Sequence, residues 1–173
     1  MLGTKLYKGQ YTNKEYADLA VWCNANGATI EDMGDYYECK ALPAPSLEEL
    51  KTAKLAAVDT WTANKITGGF ISNASGEAVT YDSDKDTQLT MQGIALNVNT
   101  ALFAEKYPDG CPVRGYAAGA DVKGVYWLNA EQVLAWCADL SMHIGNCKQV
   151  GWMKQAQVAA ATSPEELEVI ILD

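Results

Sequence analysis

The chain has 173 residues, 49% hydrophobic and 20% charged, with 13 Lys+Arg against 22 Asp+Glu and a formal net charge of −9. That apolar content supports a packed core and excludes wholesale disorder, while the length suits one domain or a small module joined to a larger one. The acidity repels phosphate backbones and sets nucleic acid aside as a partner, and no run approaches the roughly 18 apolar residues of a membrane span.

The opening MLGTKLYKGQ lacks the apolar stretch of a cleaved secretory signal, so synthesis in a reducing cytoplasm is the expectation. The five cysteines, Cys23, Cys39, Cys111, Cys137 and Cys147, are odd in number and widely spaced with no CxxC. They are expected to be small apolar core residues without a disulfide framework.

Residues 1–42 read as a small βαββ module. A strand is expected near Lys5–Lys8. Thr12-Asn13-Lys14-Glu15 forms a capping box, and Tyr16, Leu19, Ala20 and Cys23 then recur on one helical face. Asn26-Gly27 ends that helix, and strands at Ala28–Asp32 and Tyr36–Leu42 turn through Met33-Gly34-Asp35. Pro43-Ala44-Pro45 is a short semi-rigid linker.

Residues 46–173 read as an α+β domain with two β-hairpins. Ser46-Leu47-Glu48-Glu49 opens a helix to about Lys65, which Gly68-Gly69 stops. Phe70–Ser72 and Glu77–Tyr81 predict the first hairpin, and one helix follows over about 84–106. Val113–Ala118 and Val122–Leu128 predict the second hairpin. Asn129-Ala130-Glu131-Gln132 starts a long helix with Val133, Trp136, Cys137, Leu140 and Ile144 on one face, bent or broken at Gly145 and Gly151. Ser163-Pro164-Glu165-Glu166 starts a last helix, and Val169–Leu172 reads as a docked strand.

Three residue groups invite a chemical reading. Asp82, Asp84 and Asp86 alternate like a calcium loop, yet Thr87 and Gly93 stand where an EF-hand needs Gly and Glu. Acids at a helix start offset its dipole more simply. His143 and Cys147 lie one turn apart, with Asp139 the nearest carboxylate, which is too few ligands for a metal and poor geometry for a catalytic pair. The five Trp and nine Tyr are expected mainly in the core, with one of Tyr36 and Tyr37 exposed because adjacent strand residues face opposite ways. These readings assign no catalytic, cofactor-binding or metal-binding residue, and no cofactor.

Three segments carry a resemblance. Lys65-Ile66-Thr67-Gly68-Gly69-Phe70, Tyr81-Asp82-Ser83-Asp84-Lys85-Asp86-Thr87-Gln88 and Trp127-Leu128-Asn129-Ala130-Glu131-Gln132 occur in that order with helices between. Over about residues 50–160 this resembles a domain of unknown function found in bacteriophage and prophage tail proteins, described as tail-fibre or tail-fibre-assembly proteins. The resemblance implies structural roles: Gly68-Gly69 for tight strand entry, Ser83–Gln88 for helix capping, Trp127 for anchoring a hairpin. It also implies partners among other phage tail or fibre proteins, and a place in the virion or the host bacterial cytoplasm.

The resulting expectation is a non-enzymatic tail component or fibre-assembly factor acting through protein–protein contacts, with homo-oligomerisation left open. Two rivals stand beside it. One is a small hydrolase or metal-dependent enzyme using Asp82–Asp86 or His143/Cys147; the other is a carbohydrate-binding module using exposed Tyr and Trp.

Overall fold

The computed structural model describes residues 1–173, which divide into two compact units, Met1–Ser46 and Leu47–Asp173. Both are mixtures of helix and antiparallel sheet, so the chain is α+β.

In the first unit, strand β1 (Lys5–Tyr7) is followed by helix α1 (Asn13–Ala25) and strands β2 (Ala28–Asp32) and β3 (Tyr36–Ala41). The sheet order is β1-β3-β2, so the last strand lies in the middle. The capping box is formed: Thr12 accepts from the Glu15 amide while Glu15 accepts from the Thr12 amide at 2.7 Å. Gly27 leaves the helix at φ +60°, a left-handed conformation that glycine adopts without a Cβ clash. Leu19 and Cys23 of α1 bury against Ala28 and Cys39, which with the half-buried Leu6, Trp22 and Ile30 make the whole core.

Neither Tyr36 nor Tyr37 is exposed; both are half-buried. Tyr37 faces α1, edge-on to Tyr11 and Tyr16, and Tyr36 on the other face lies against the ring of Tyr7 with Lys5 above it. The expected exposed tyrosine fails because aromatic neighbours cover both faces of the strand.

The second unit begins with α2 (Leu47–Thr67), then β4 (Phe70–Ser72) and β5 (Val79–Tyr81). Helices α3 (Lys85–Asn97) and α4 (Ala101–Lys106) lead to β6 (Cys111–Ala117) and β7 (Gly124–Leu128), and α5 (Ala130–Ala160) and α6 (Pro164–Glu168) finish the chain. The two hairpins are not separate. Thr80 of β5 stands opposite Tyr116 of β6, so all four strands form one antiparallel sheet in the order β4-β5-β6-β7.

Alternation sorts each strand: Phe70, Val79, Tyr81, Val113 and Leu128 point to one face, where Met91 of α3 and Val133, Trp136 and Leu140 of α5 cover them. Gly115 sits at the centre of this face because a Cβ there would meet the Tyr81 ring at 2.9 Å.

Two expectations about helices and one about a strand are corrected. The single helix over 84–106 is two, because Thr100 turns extended, caps the Phe103 amide and donates to the Asn97 carbonyl at 2.7 Å. The long helix is unbroken over 31 residues despite Gly145 and Gly151. Gly151 serves packing: a Cβ there would lie 3.1 Å from Cγ2 of Thr62 on α2. Val169–Leu172 is not a strand. That segment runs without regular structure, its Ile170 buried with Val58, Val158, Ala161 and Leu167, and the Asp173 carbonyl accepts from Trp61 Nε1 at 2.8 Å.

Candidate functional site: an open helix face

The acidic trio is splayed. Asp84 caps α3, accepting from the Asp86 and Thr87 amides at 3.0 Å each and from the Thr87 hydroxyl at 2.6 Å. Those hydrogen bonds, the Thr87 hydroxyl foremost, hold the Asp84 carboxyl below its ordinary range. Asp82 pairs with Lys123, and Asp86 is exposed in the first turn. Between Asp82 and Asp84, the buried Ser83 donates to the Ile66 carbonyl at 2.6 Å and accepts from the Gly69 amide at 2.8 Å, tying the end of α2 to the start of α3. No three His, Cys, Asp or Glu side chains converge as a metal site would require.

His143 and Cys147 are both half-buried on α5. His143 Nε2 lies 3.1 Å from the Lys65 carbonyl, an acceptor, so that nitrogen carries the proton and donates. Cys147 Sγ stands 3.7 Å from the same nitrogen, and burial pushes its thiol up, away from the thiolate that a nucleophile needs. Asp139 accepts from the buried Ser72 hydroxyl at 2.6 Å, which locks β4 to α5. His143 and Asp139 border a cleft of about 500 Å³ beside Phe70, Ile71, Thr80 and Met142. Asp139 and His143 are both engaged in joining elements, to β4 and to the end of α2.

The surface that stands out is the far side of α5. One face of the helix packs on the sheet, α3 and α2. On the other, Ala135, Ala138, Met142, Gly145, Gln149, Trp152 and Ala156 are all exposed. Their spacing alternates three and four, the 3.5-residue period of a helix seam built to face another helix. The stripe spans six turns, about 30 Å, and contains no charge. Leu134 and Met153 widen it, and Trp152 is 63% and Met142 62% exposed. A helix apolar on all sides is one that is covered on all sides. On α5 the second side is bare.

This stripe was legible in the sequence and hidden by reading Gly145 and Gly151 as interruptions. With the helix continuous, Gly145 becomes the smallest residue near the middle of the stripe, with nothing within 4 Å of where a Cβ would stand. Small residues there let a partner backbone come close.

A second open surface adjoins the cleft. The outer face of the sheet carries Ile71, Thr80, Arg114, Tyr116, Val125 and Trp127. Trp127 is 58% exposed, so it does not anchor the hairpin inward; Leu128, the next residue, does. Trp136 is buried and Trp22 and Trp61 are half-buried, so Trp127 and Trp152 are the two tryptophans that depart from the expectation of core packing. Trp127 and Trp152 protrude because the strand and helix periods place them on the faces opposite the core.

A family model described as Domain of unknown function (DUF4376) matches residues 49–171. No curated protein and no solved structure matches the chain.

Proposed function

The chain belongs to the family of that domain of unknown function, and from this premise we propose that it is a non-enzymatic phage or prophage tail protein, either a tail or tail-fibre component or a fibre-assembly factor, working by binding other proteins. One observation carries the reading: the uncharged, exposed stripe of three-four period on α5. Large contiguous apolar surface on a folded protein marks an interaction site, and aromatic and Met side chains such as Trp152 and Met142 are the types that anchor interfaces. The order of the Gly-Gly-Phe, acidic helix-cap and Trp-Leu-Asn-Ala-Glu-Gln segments supplies the phage-tail context.

The reading of Asp82–Asp86 or His143/Cys147 as an enzyme centre has less support, since Asp84 caps a helix, Asp82 is ion-paired, His143 links two elements and burial raises the Cys147 thiol. A sugar site at Trp127 would need polar partners for hydroxyls around the ring. Pro112 stands opposite it across the strand pair, Val125 and Arg114 share its face, and Asp109, Asn129 and Gln132 line the cleft at its edge, but no second ring stacks beside it to make a sugar platform.

The test is co-purification with the tail-fibre and baseplate proteins of the genome that encodes this chain. Binding by the wild type, and loss of binding with Trp152→Glu and Met142→Glu together at unchanged helicity, is the supporting result. Equal binding by both proteins removes the α5 assignment, and no binding by either removes the tail role. Washed particles then divide the two versions, because an assembly factor is absent from them and a component is retained.

A further inference from the structure

The first unit has a very small core, with four buried side chains, and two of them are cysteines. Cys23 lies near the C-terminal end of α1, and Cys39 in the central strand β3. They are 3% and 0% exposed, and their sulfurs stand 3.0 Å apart, inside ordinary contact of two thiols. A disulfide needs an approach to about 2.0 Å, a closing movement of about 1 Å. Units of this size, about 40 residues, commonly need a staple because so little apolar surface is buried. The remaining cysteines, Cys111, Cys137 and Cys147, all belong to the other unit.

We propose that Cys23 and Cys39 form a covalent redox site, oxidised by a low-molecular-weight disulfide such as oxidised glutathione to a bond that staples α1 to β3. One protein thiol loses its proton, and its thiolate attacks the glutathione disulfide, forming a mixed disulfide and expelling one glutathione. The second protein thiolate attacks the protein sulfur of that mixed disulfide and expels the other glutathione. Two protein thiols become one disulfide, and one oxidised glutathione becomes two reduced molecules. Burial, then the hydrogen bond with Cys39, pushes the Cys23 thiol up to about 11, so attack is slow at pH 7 and quickens as the pH rises. With both sulfurs buried, glutathione reaches them only when the unit opens locally, so closure is expected on sustained and not on brief exposure. This site does not depend on the tail reading.

Trypsin provides a direct assay on the full chain, because no Lys or Arg lies between Glu15 and Lys40 and one peptide carries both cysteines. After equilibration with oxidised glutathione at pH 8, blocking of free thiols and digestion, that peptide is expected two hydrogens lighter and unblocked. Peptides with Cys111, Cys137 and Cys147 are expected to be fully blocked. Amide exchange in β2 and β3 is expected to slow on the order of 100-fold in the oxidised chain, the size expected from closing a loop of this length. Full blocking of both Cys23 and Cys39 at equilibrium overturns the proposal, as does a bond from either to any other cysteine. Cys39→Ser serves as the control; it is expected to abolish both the mass change and the slowing.

Discussion

At the scale of single residues, the two interior glycines of α5 make opposite demands. Gly145 has open space where a Cβ would go, so Gly145→Ala is expected to stabilise by about 0.5–1 kcal/mol, the helix-propensity difference. Gly151 faces Thr62, so Gly151→Ala is expected to destabilise by roughly 1–3 kcal/mol through overpacking between α2 and α5. Thermal unfolding of the two variants checks this, and Thr62→Ala in the Gly151→Ala background is expected to recover part of the loss. Buried Ser83 belongs with them: Ser83→Ala leaves the Gly69 amide and Ile66 carbonyl without their partner and is expected to cost about 1–3 kcal/mol. The sequence alone marked both glycines as breaks because it shows what a helix dislikes and not what lies across from it. Of the two residues that read as the cap of α3, Ser83 and Asp84, Asp84 caps it, while the partners of the Ser83 side chain are 14 and 17 residues away.

At the scale of elements, capping chemistry was the part most legible in advance. Thr12/Glu15 and Asn129/Gln132 are reciprocal capping boxes, and Ser163 caps α6 ahead of Pro164. Asn129→Ala is expected to cost about 1 kcal/mol, read as a lower denaturation midpoint of the second unit. The same caps predict a pH response. Hydrogen bonds from the Thr12 amide to Glu15, from the Thr87 hydroxyl to Asp84 and from the Thr162 amide to Glu166 lower these carboxyls below their ordinary values of 4.5, 3.8 and 4.5. A carboxyl lowered by folding contributes stability above its unfolded value and loses it as pH falls toward the folded one. Melting temperature is therefore expected to hold down to about pH 5 and fall below about 4.5, and Asp84→Asn is expected to flatten part of that fall. What the local pattern did not show was pairing at a distance. Nothing in two separate turn signals says that β5 will also pair with β6, and the break at Thr100 depends on one side chain bonding forward to Phe103 and back to Asn97.

At the scale of the whole molecule, the charge of −9 and the apolar stripe divide the surface between them. Many acids sit at helix starts, where they serve the helices and keep the surface hydrated, and the far side of α5 is left free of charge. No helix is long and apolar enough to cross a membrane, α5 included. The proposal is that this face binds a tail protein, and the most direct measurement is the affinity of the purified chain for the tail-fibre and baseplate proteins of the genome that encodes it. Wild type is expected to bind, and the Trp152→Glu, Met142→Glu double variant to bind at least 100-fold more weakly while keeping its helical content and melting temperature, as loss of two interface anchors implies. Equal affinity of the two proteins, or no binding by wild type, contradicts the account.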